Sequence, residues 1–205
     1  MTMNRHLVIL GCGGHGRSSA ALAERAGYQE IIFVDAAALQ GEEILGYPVW
    51  RSIDENAAAY DCIVASGNNH ERLKNARSLV DSGRKLVTLT ARSAIVSRHA
   101  RIGVGSFVGE FCYVGPGVTV GIAAILNTHA IVEHDCKVGN GCHIAVGATV
   151  AGGCRLEDLV MIGAGATLRD GISIVSKTVI GAGALVCKNI TIPGTYVGVP
   201  ARRIE

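Results

Sequence analysis

The chain has 205 residues, enough for one large or two small domains with a proper core. A formal net charge of +2, carried by scattered Lys and Arg, argues against nucleic acid or a membrane surface as partner, and no apolar run nears the roughly 18 residues of a membrane-spanning helix. Hydrophobic residues reach 49% while aromatics are 4%, so Ile, Leu, Val and Ala must fill the core, and 27 Gly imply many tight turns.

Residues 1–90 read as alternating strands and helices. The opening MTMNRHLVILGCGG runs from a short apolar stretch straight into a Gly-rich turn, which reads as a strand rather than a signal peptide. HLVIL is a buried strand and GCGGHGRSSAALAERAG a turn opening a helix. EIIFVD and DCIVAS are further strands, NHERLKNARSLVDSG a second helix, and KLVTL a closing strand. This alternation predicts a small parallel sheet, a Rossmann-like α/β domain. Seven cysteines, an odd number without a CxxC pair, suit reduced thiols in the cytoplasm.

Over residues 91–205 the pattern changes. Every sixth residue from Val96 to Val186 is Ile, Leu or Val, sixteen in succession without a slip. Four residues after most of them stands a small or β-branched residue, as at Ser106, Cys112, Ala130, Cys136, Cys142 and Cys154. A period of six fits neither an α-helix nor a hairpin sheet; it is the pattern of a hexapeptide parallel β-helix, three hexads closing a coil of about 18 residues. Both tracks then point inward, which makes Cys112, Cys136, Cys142 and Cys154 filler of a narrow interior. The stretch NTHAIVEHDCKVGNGCH, residues 127–143, thereby divides: its cysteines face in and its histidines do not, so a metal site is not expected.

The chain resembles the bacterial nucleotide-sugar and sialic-acid acetyltransferases, a branch of the hexapeptide-repeat acyltransferases. LGCGGHGR, VASGNNHER, LNTHAIVEHDCKVGNGCHIAVGATVAGG and YVGVPARRI carry the resemblance, in that order along the chain. It implies a left-handed coiling of the β-helix, a homotrimer, and acetyl-CoA held in a groove between neighbouring β-helices. It also implies N-acetylation of a UDP-linked amino sugar.

GCGGHG satisfies G-x-G-x-x-G through Gly11, Gly13 and Gly16, between a strand and a helix, with Asp35 ending the next strand. Alone this would suggest NAD. The α/β segment, however, is too short for both halves of a dinucleotide fold, and a solenoid follows it. A nucleotide sugar presents the same pyrophosphate and ribose to the same turn and helix N-terminus. Gly13, Gly14 and His15 are therefore assigned to the diphosphate, Asp35 to the uridine portion, and Gly67 and Asn68 to further sugar-nucleotide contacts; the resemblance implies the same roles.

In the coils, the resemblance makes His134 the catalytic base. A sugar amine attacking a thioester must lose a proton as the C–N bond forms; imidazole titrates near neutrality and can take it, and the adjacent Asp135 would raise its basicity. The thioester is already activated, so neither a nucleophilic side chain nor a metal is required. Gly152, three hexads on, is expected to leave its backbone N–H open toward the thioester oxygen. Asn127 departs from the repeat at a Gly-preferring position and is a candidate to orient the amine. By resemblance His143 contacts acetyl-CoA, as do the turns at Gly163, Ala164, Gly181 and Ala182. O-acetylation of a sialic-acid-like sugar remains an alternative, and a purely structural solenoid would need neither the fingerprint nor the His-Asp pair.

Overall fold

The computed structural model describes residues 5–54, 57 and 59–204; the first four residues of the opening stretch lie outside them. The chain divides into two compact units between Leu89 and Thr90.

In the first unit, strand β1 (His6–Leu10) leads through the Gly-rich turn into helix α1 (Gly14–Arg25), and β2 (Glu30–Val34) follows. A short hairpin comes next, β3 (Glu43–Ile44) and β4 (Tyr47–Trp50), then β5 (Asp61–Val64) and helix α2 (Asn69–Asp81). The sheet order is β3-β4-β2-β1-β5, all neighbours parallel except the β3–β4 pair. The expected small parallel sheet is present. Sequence reading missed the hairpin, whose turn places both Leu45 (φ 55°) and Gly46 (φ 78°) in the left-handed region, as a tight antiparallel turn requires. The expected KLVTL strand is corrected: only an isolated bridge joins Leu86 to Cys62, and Leu89–Thr90 belongs to the solenoid's longest sheet. Neither α1 nor α2 is long and apolar enough to cross a membrane, nor is any other helix among the described residues.

One polar network ties down this sheet. Asp61, at the start of β5, accepts a hydrogen bond from the Tyr28 hydroxyl at 2.6 Å and pairs with Lys85 at 2.7 Å. Arg5 donates to the Tyr28 oxygen at 2.8 Å while lying 4.1 Å over its ring. Burial, reinforced by the Asp61 carboxylate, pushes the Tyr28 hydroxyl far above its ordinary pKa, so it stays a donor.

The second unit is a solenoid of two-residue parallel strands. Partners are 18 residues apart, as in Tyr113 with Ile131 and Ile131 with Thr149, so three hexads make one coil. The strands stack into three faces of six, five and eight strands, the last ending in an antiparallel pair, Thr195–Val197 with Arg202–Ile204. The aliphatic track lines the interior: Val108, Val114, Val132, Ile144, Ile162 and Leu168 are fully buried. The small-residue track fills what remains, and each inward cysteine also satisfies a corner carbonyl. Cys136, Cys142 and Cys154 donate their S–H to the carbonyls of Ala151, Glu157 and Arg169 at 3.1–3.2 Å, each fifteen residues on. Burial pushes the Cys112 thiol up to about 11. The Cys136 thiol is raised as well, by its hydrogen bond to Cys154 and by burial, and that same bond draws the Cys154 thiol below its ordinary value.

A third track escaped sequence reading. Residues 105, 111, 117 and every sixth position to 183 have positive φ, one left-handed residue per corner turn. Glycine takes eight of these fourteen positions, and Phe111, Ala123, His129, Asp135, Leu159 and Lys177 take the others. Each of those six carries the steric cost of a Cβ in that region, least for Asp and His.

Candidate active site

Three places in the molecule gather the residues singled out from the sequence, one in the first unit and two in the second. In the first unit a cavity of about 500 Å³ opens at the carboxyl ends of β1, β2 and β5. The chain leaves β1 toward β2 on one side and returns to β5 on the other, so this is the topological switch point of the sheet, where open α/β sheets bind ligands. Leu10 to Gly13, Val34 to Ala36 and Ala65 to Gly67 line it, joined by Arg51, Glu71 and Asn75.

The fingerprint glycines divide by role. Gly11 has φ +115°, and a Cβ there would sit 2.9 Å from the Ala65 carbonyl; one on Gly16 would sit 2.2 Å from the Gly11 carbonyl. These two close the strand–helix packing. Gly13, Gly14 and Gly67 face open space, nothing lying within 4 Å of an added Cβ. Helix α1 begins there without a side-chain cap, so its N-terminal dipole is directed at the opening. Gly14 and His15 form the first turn of α1 behind the cavity lining. Asp35 reaches the rim and accepts from the Ala37 N–H at 2.9 Å. Asn68 does not line the cavity; its side-chain oxygen caps α2, accepting from the His70 and Glu71 N–H groups at 3.0 and 3.1 Å.

The second place is a corner of the solenoid, following the strand Ile131–Val132. His134 Nδ1 lies 2.9 Å from Asp135 Oδ2, both side chains well exposed. Asp135 occupies the left-handed turn position (φ 60°), and this backbone setting swings its carboxylate alongside the ring of its neighbour. With Nδ1–H donating to the carboxylate, the Nε2 lone pair remains for an incoming proton. The Asp135 hydrogen bond raises the His134 pKa above the ordinary value, opposed by partial desolvation and helped by the charges of Asp135, Glu133 and Asp170.

Glycines make room for this pair. A Cβ on Gly115, one coil earlier, would lie 2.8 Å from the His134 backbone nitrogen, and one on Gly117 would lie 2.5 Å from Asp135 Oδ1. Above the ring, a Cβ on Gly152 would come within 2.6 Å of Nε2. The expected open N–H at Gly152 is corrected: it donates to Asp170 Oδ1 at 3.2 Å, and what Gly152 supplies is space. Asp170, which sequence reading missed, stands thirty-six residues after His134, two coils on in the same column. Applying the 18-residue register twice would have found it.

Asn127 and His143 lie together elsewhere, around the corner that follows the strand Ile125–Leu126. Asn127 Nδ2 is 3.4 Å from His143 Nε2, and Asn127 Oδ1 accepts from the Thr128 N–H at 2.8 Å. Gly163–Ala164 and Gly181–Ala182 stack above them on this same corner, by the same 18-residue register. The Gly163 and Gly181 N–H groups are spent on the carbonyls of Ile180 and Tyr196. Ala164 and Ala182 are exposed, and their N–H groups make no hydrogen bond among the described residues. The structure thus groups His134 with Asp135, and Asn127 with His143 and the Gly163–Ala164 and Gly181–Ala182 turns, on different corners. Among the described residues no group of three or more His, Cys, Asp or Glu is arranged to hold a metal ion.

Two family models match the chain: the PglD N-terminal domain over residues 6–79, and the bacterial transferase hexapeptide (six repeats) over residues 135–170. Among solved structures, the chain is similar to the acetyltransferase domain of PglB from Neisseria gonorrhoeae in complex with acetyl coenzyme A, at 36% identity and TM-score 0.91, covering 98% of this chain and 100% of that one. It is similar at 30% identity and TM-score 0.86 to PerB from Caulobacter crescentus in complex with CoA and GDP-perosamine, covering 98% and 97%. A variant of GDP-perosamine N-acetyl transferase from the same organism, also with CoA and GDP-perosamine, matches at 29% identity, TM-score 0.86 and the same coverage.

Proposed function

The chain belongs to the hexapeptide-repeat acetyltransferases related to nucleotide-sugar N-acetyltransferases, and on that premise we propose that it acetylates the amine of a UDP-linked amino sugar, with His134 as general base. At the coarser level the protein is an acetyl-CoA-dependent acetyltransferase acting on a nucleotide sugar. In this reading the switch-point cavity of the first unit takes the nucleotide, with Gly13 and the first turn of α1 that Gly14 and His15 form at the diphosphate, Asp35 at the uridine and Gly67 beside them, while Asn68 acts by capping α2 at the loop's end.

The observation that carries the reading is the His134–Asp135 pair, 2.9 Å apart on an exposed corner with Nε2 turned toward the gap left by Gly152. The amine nitrogen adds to the thioester carbonyl, and His134 Nε2 removes the proton that the nitrogen must lose. Collapse of the tetrahedral adduct breaks the C–S bond, and the imidazolium returns a proton to the departing thiolate. Asp135 holds the ring and favours its charged form during this exchange.

The surroundings favour an amine over the hydroxyl of the O-acetylation alternative. Glu133, Asp135 and Asp170 all act on His134 with negative charge. Such a field gathers the ammonium form of an amino sugar, which sheds one proton to solvent before its nitrogen attacks, and offers a neutral hydroxyl nothing. The separation of the His134 corner from the Asn127–His143 corner supports a homotrimer. A neighbouring chain would bring its Asn127, His143, Ala164 and Ala182 opposite His134, with acetyl-CoA between them.

Replacing His134 by Ala tests the assignment. Turnover should fall by about 10²–10⁴-fold with acetyl-CoA affinity unchanged, the range general-base catalysis supplies. Activity within a few-fold of wild type would remove His134 from the mechanism.

A further inference from the structure

The largest fully buried side chain among the described residues is a charged one, Arg72 on α2, at 1% exposure. Burying a guanidinium is costly unless its donors are satisfied, so its partners show what it is for. Nη1 donates to the Ser66 carbonyl at 2.9 Å, with a longer contact to the Gly67 carbonyl at 3.5 Å, and Nη2 donates to Asn69 Oδ1 at 2.7 Å. Ser66 and Gly67 line the switch-point cavity, whereas Arg72 stands behind them.

In a trans peptide the C=O and the following N–H point to opposite sides. Drawing the Ser66 carbonyl back onto Arg72 therefore turns the Gly67 N–H the other way. That N–H makes no hydrogen bond among the described residues, and an added Cβ on Gly67 meets nothing within 4 Å. The rest of the loop is locked in the same sense. Asn68 N–H donates to Ser66 Oγ at 3.2 Å, Ser66 Oγ donates to Glu71 Oε2 at 3.3 Å, and the Asn68 side chain caps the helix.

We propose that Arg72 is a positioning residue for nucleotide recognition: it fixes the Ser66–Gly67 peptide so that its N–H faces the cavity as a donor to the phosphates of a nucleoside diphosphate, across from the N-terminus of α1. This rests on the nucleotide reading of the cavity. The phosphates would then be held from two sides by backbone donors, with the buried cation adding positive potential behind one of them.

Arg72→Lys separates geometry from charge, because an ammonium keeps the charge but cannot span two carbonyls and an amide as a planar fork does. The measurement is calorimetric titration of wild type, R72K and N69A with UDP, alongside steady-state kinetics. The expected result is roughly tenfold weaker UDP binding in R72K, the loss of about one charge-assisted hydrogen bond, and a matching rise in KM for the nucleotide sugar. The kcat and the KM for acetyl-CoA stay as in wild type. N69A, which removes one acceptor of the guanidinium and keeps the charge, shows a smaller loss in the same parameter and serves if R72K does not fold. UDP binding within twofold of wild type in a folded R72K, or in N69A when R72K does not fold, overturns the proposal, as does a fall in kcat at unchanged KM. Failure of wild type itself to bind UDP, GDP or dTDP overturns the nucleotide reading instead, and the role of Arg72 with it.

Discussion

At the scale of single residues, the proposed chemistry turns on one hydrogen bond, between His134 Nδ1 and Asp135. Because the carboxylate favours the imidazolium, the His134 pKa lies above its ordinary value, and the base is lost as pH falls through that raised value. The acid limb of kcat/KM is therefore expected above the limb of an unperturbed histidine. Asp135→Asn should move it to lower pH and reduce the maximal rate, about tenfold, since a less basic imidazole is a weaker base; a limb that stays in place would detach Asp135 from His134. Gly152→Ala makes a second prediction. Its Cβ would strike the imidazole at 2.6 Å, and the far end of a side chain can swing aside. The melting temperature should stay near wild type while kcat falls at least tenfold. His134 and Asp135 were singled out in the sequence through the resemblance and because both lie off the two inward tracks. Asp170 and Arg72 were not, since an acid in a turn and an arginine in an amphipathic helix look solvated until register and burial are known.

At the scale of elements, the hexad works through three positions: the inward aliphatic, the inward small residue, and the left-handed turn residue. The first two were legible because burial selects residue type narrowly in so thin an interior. The third was hidden because non-glycine residues hold six of its fourteen places. Ile144→Ala should cost about 2–5 kcal/mol, its stacked neighbours Leu126 and Ile162 being fully buried and unable to close the gap. Gly147→Ala, at φ 65°, should cost about 1 kcal/mol for the Cβ alone. Chemical denaturation would check both. In the first unit, the β3–β4 hairpin went unread because each strand is too short to show alternation. The KLVTL stretch misled because its apolar residues serve both the α/β unit and the first strand of the solenoid.

At the scale of the whole molecule, the two units were separable in sequence because a strand–helix rhythm and a period of six cannot be confused. The division of the proposed catalytic and cofactor residues between corners was not legible, since it follows from the three-faced coil rather than from spacing along the chain. If neighbouring chains complete each site, a mixture of His134→Ala chains and chains altered at Ala164 and Ala182 should regain part of the activity that each lacks alone. Co-refolding and assay would show it, and no recovery would confine the site to one chain. The central claim, transfer of acetyl from acetyl-CoA to an amine on a nucleotide-linked sugar, is tested most directly by following CoA thiol release with paired acceptors. A UDP-4-amino sugar and its 4-hydroxyl counterpart would be offered to the wild-type protein and to His134→Ala. The account predicts rapid release with the amine, little with the hydroxyl, and loss of the amine reaction in the variant. Faster turnover of the hydroxyl, or an amine reaction untouched by the loss of His134, would contradict it.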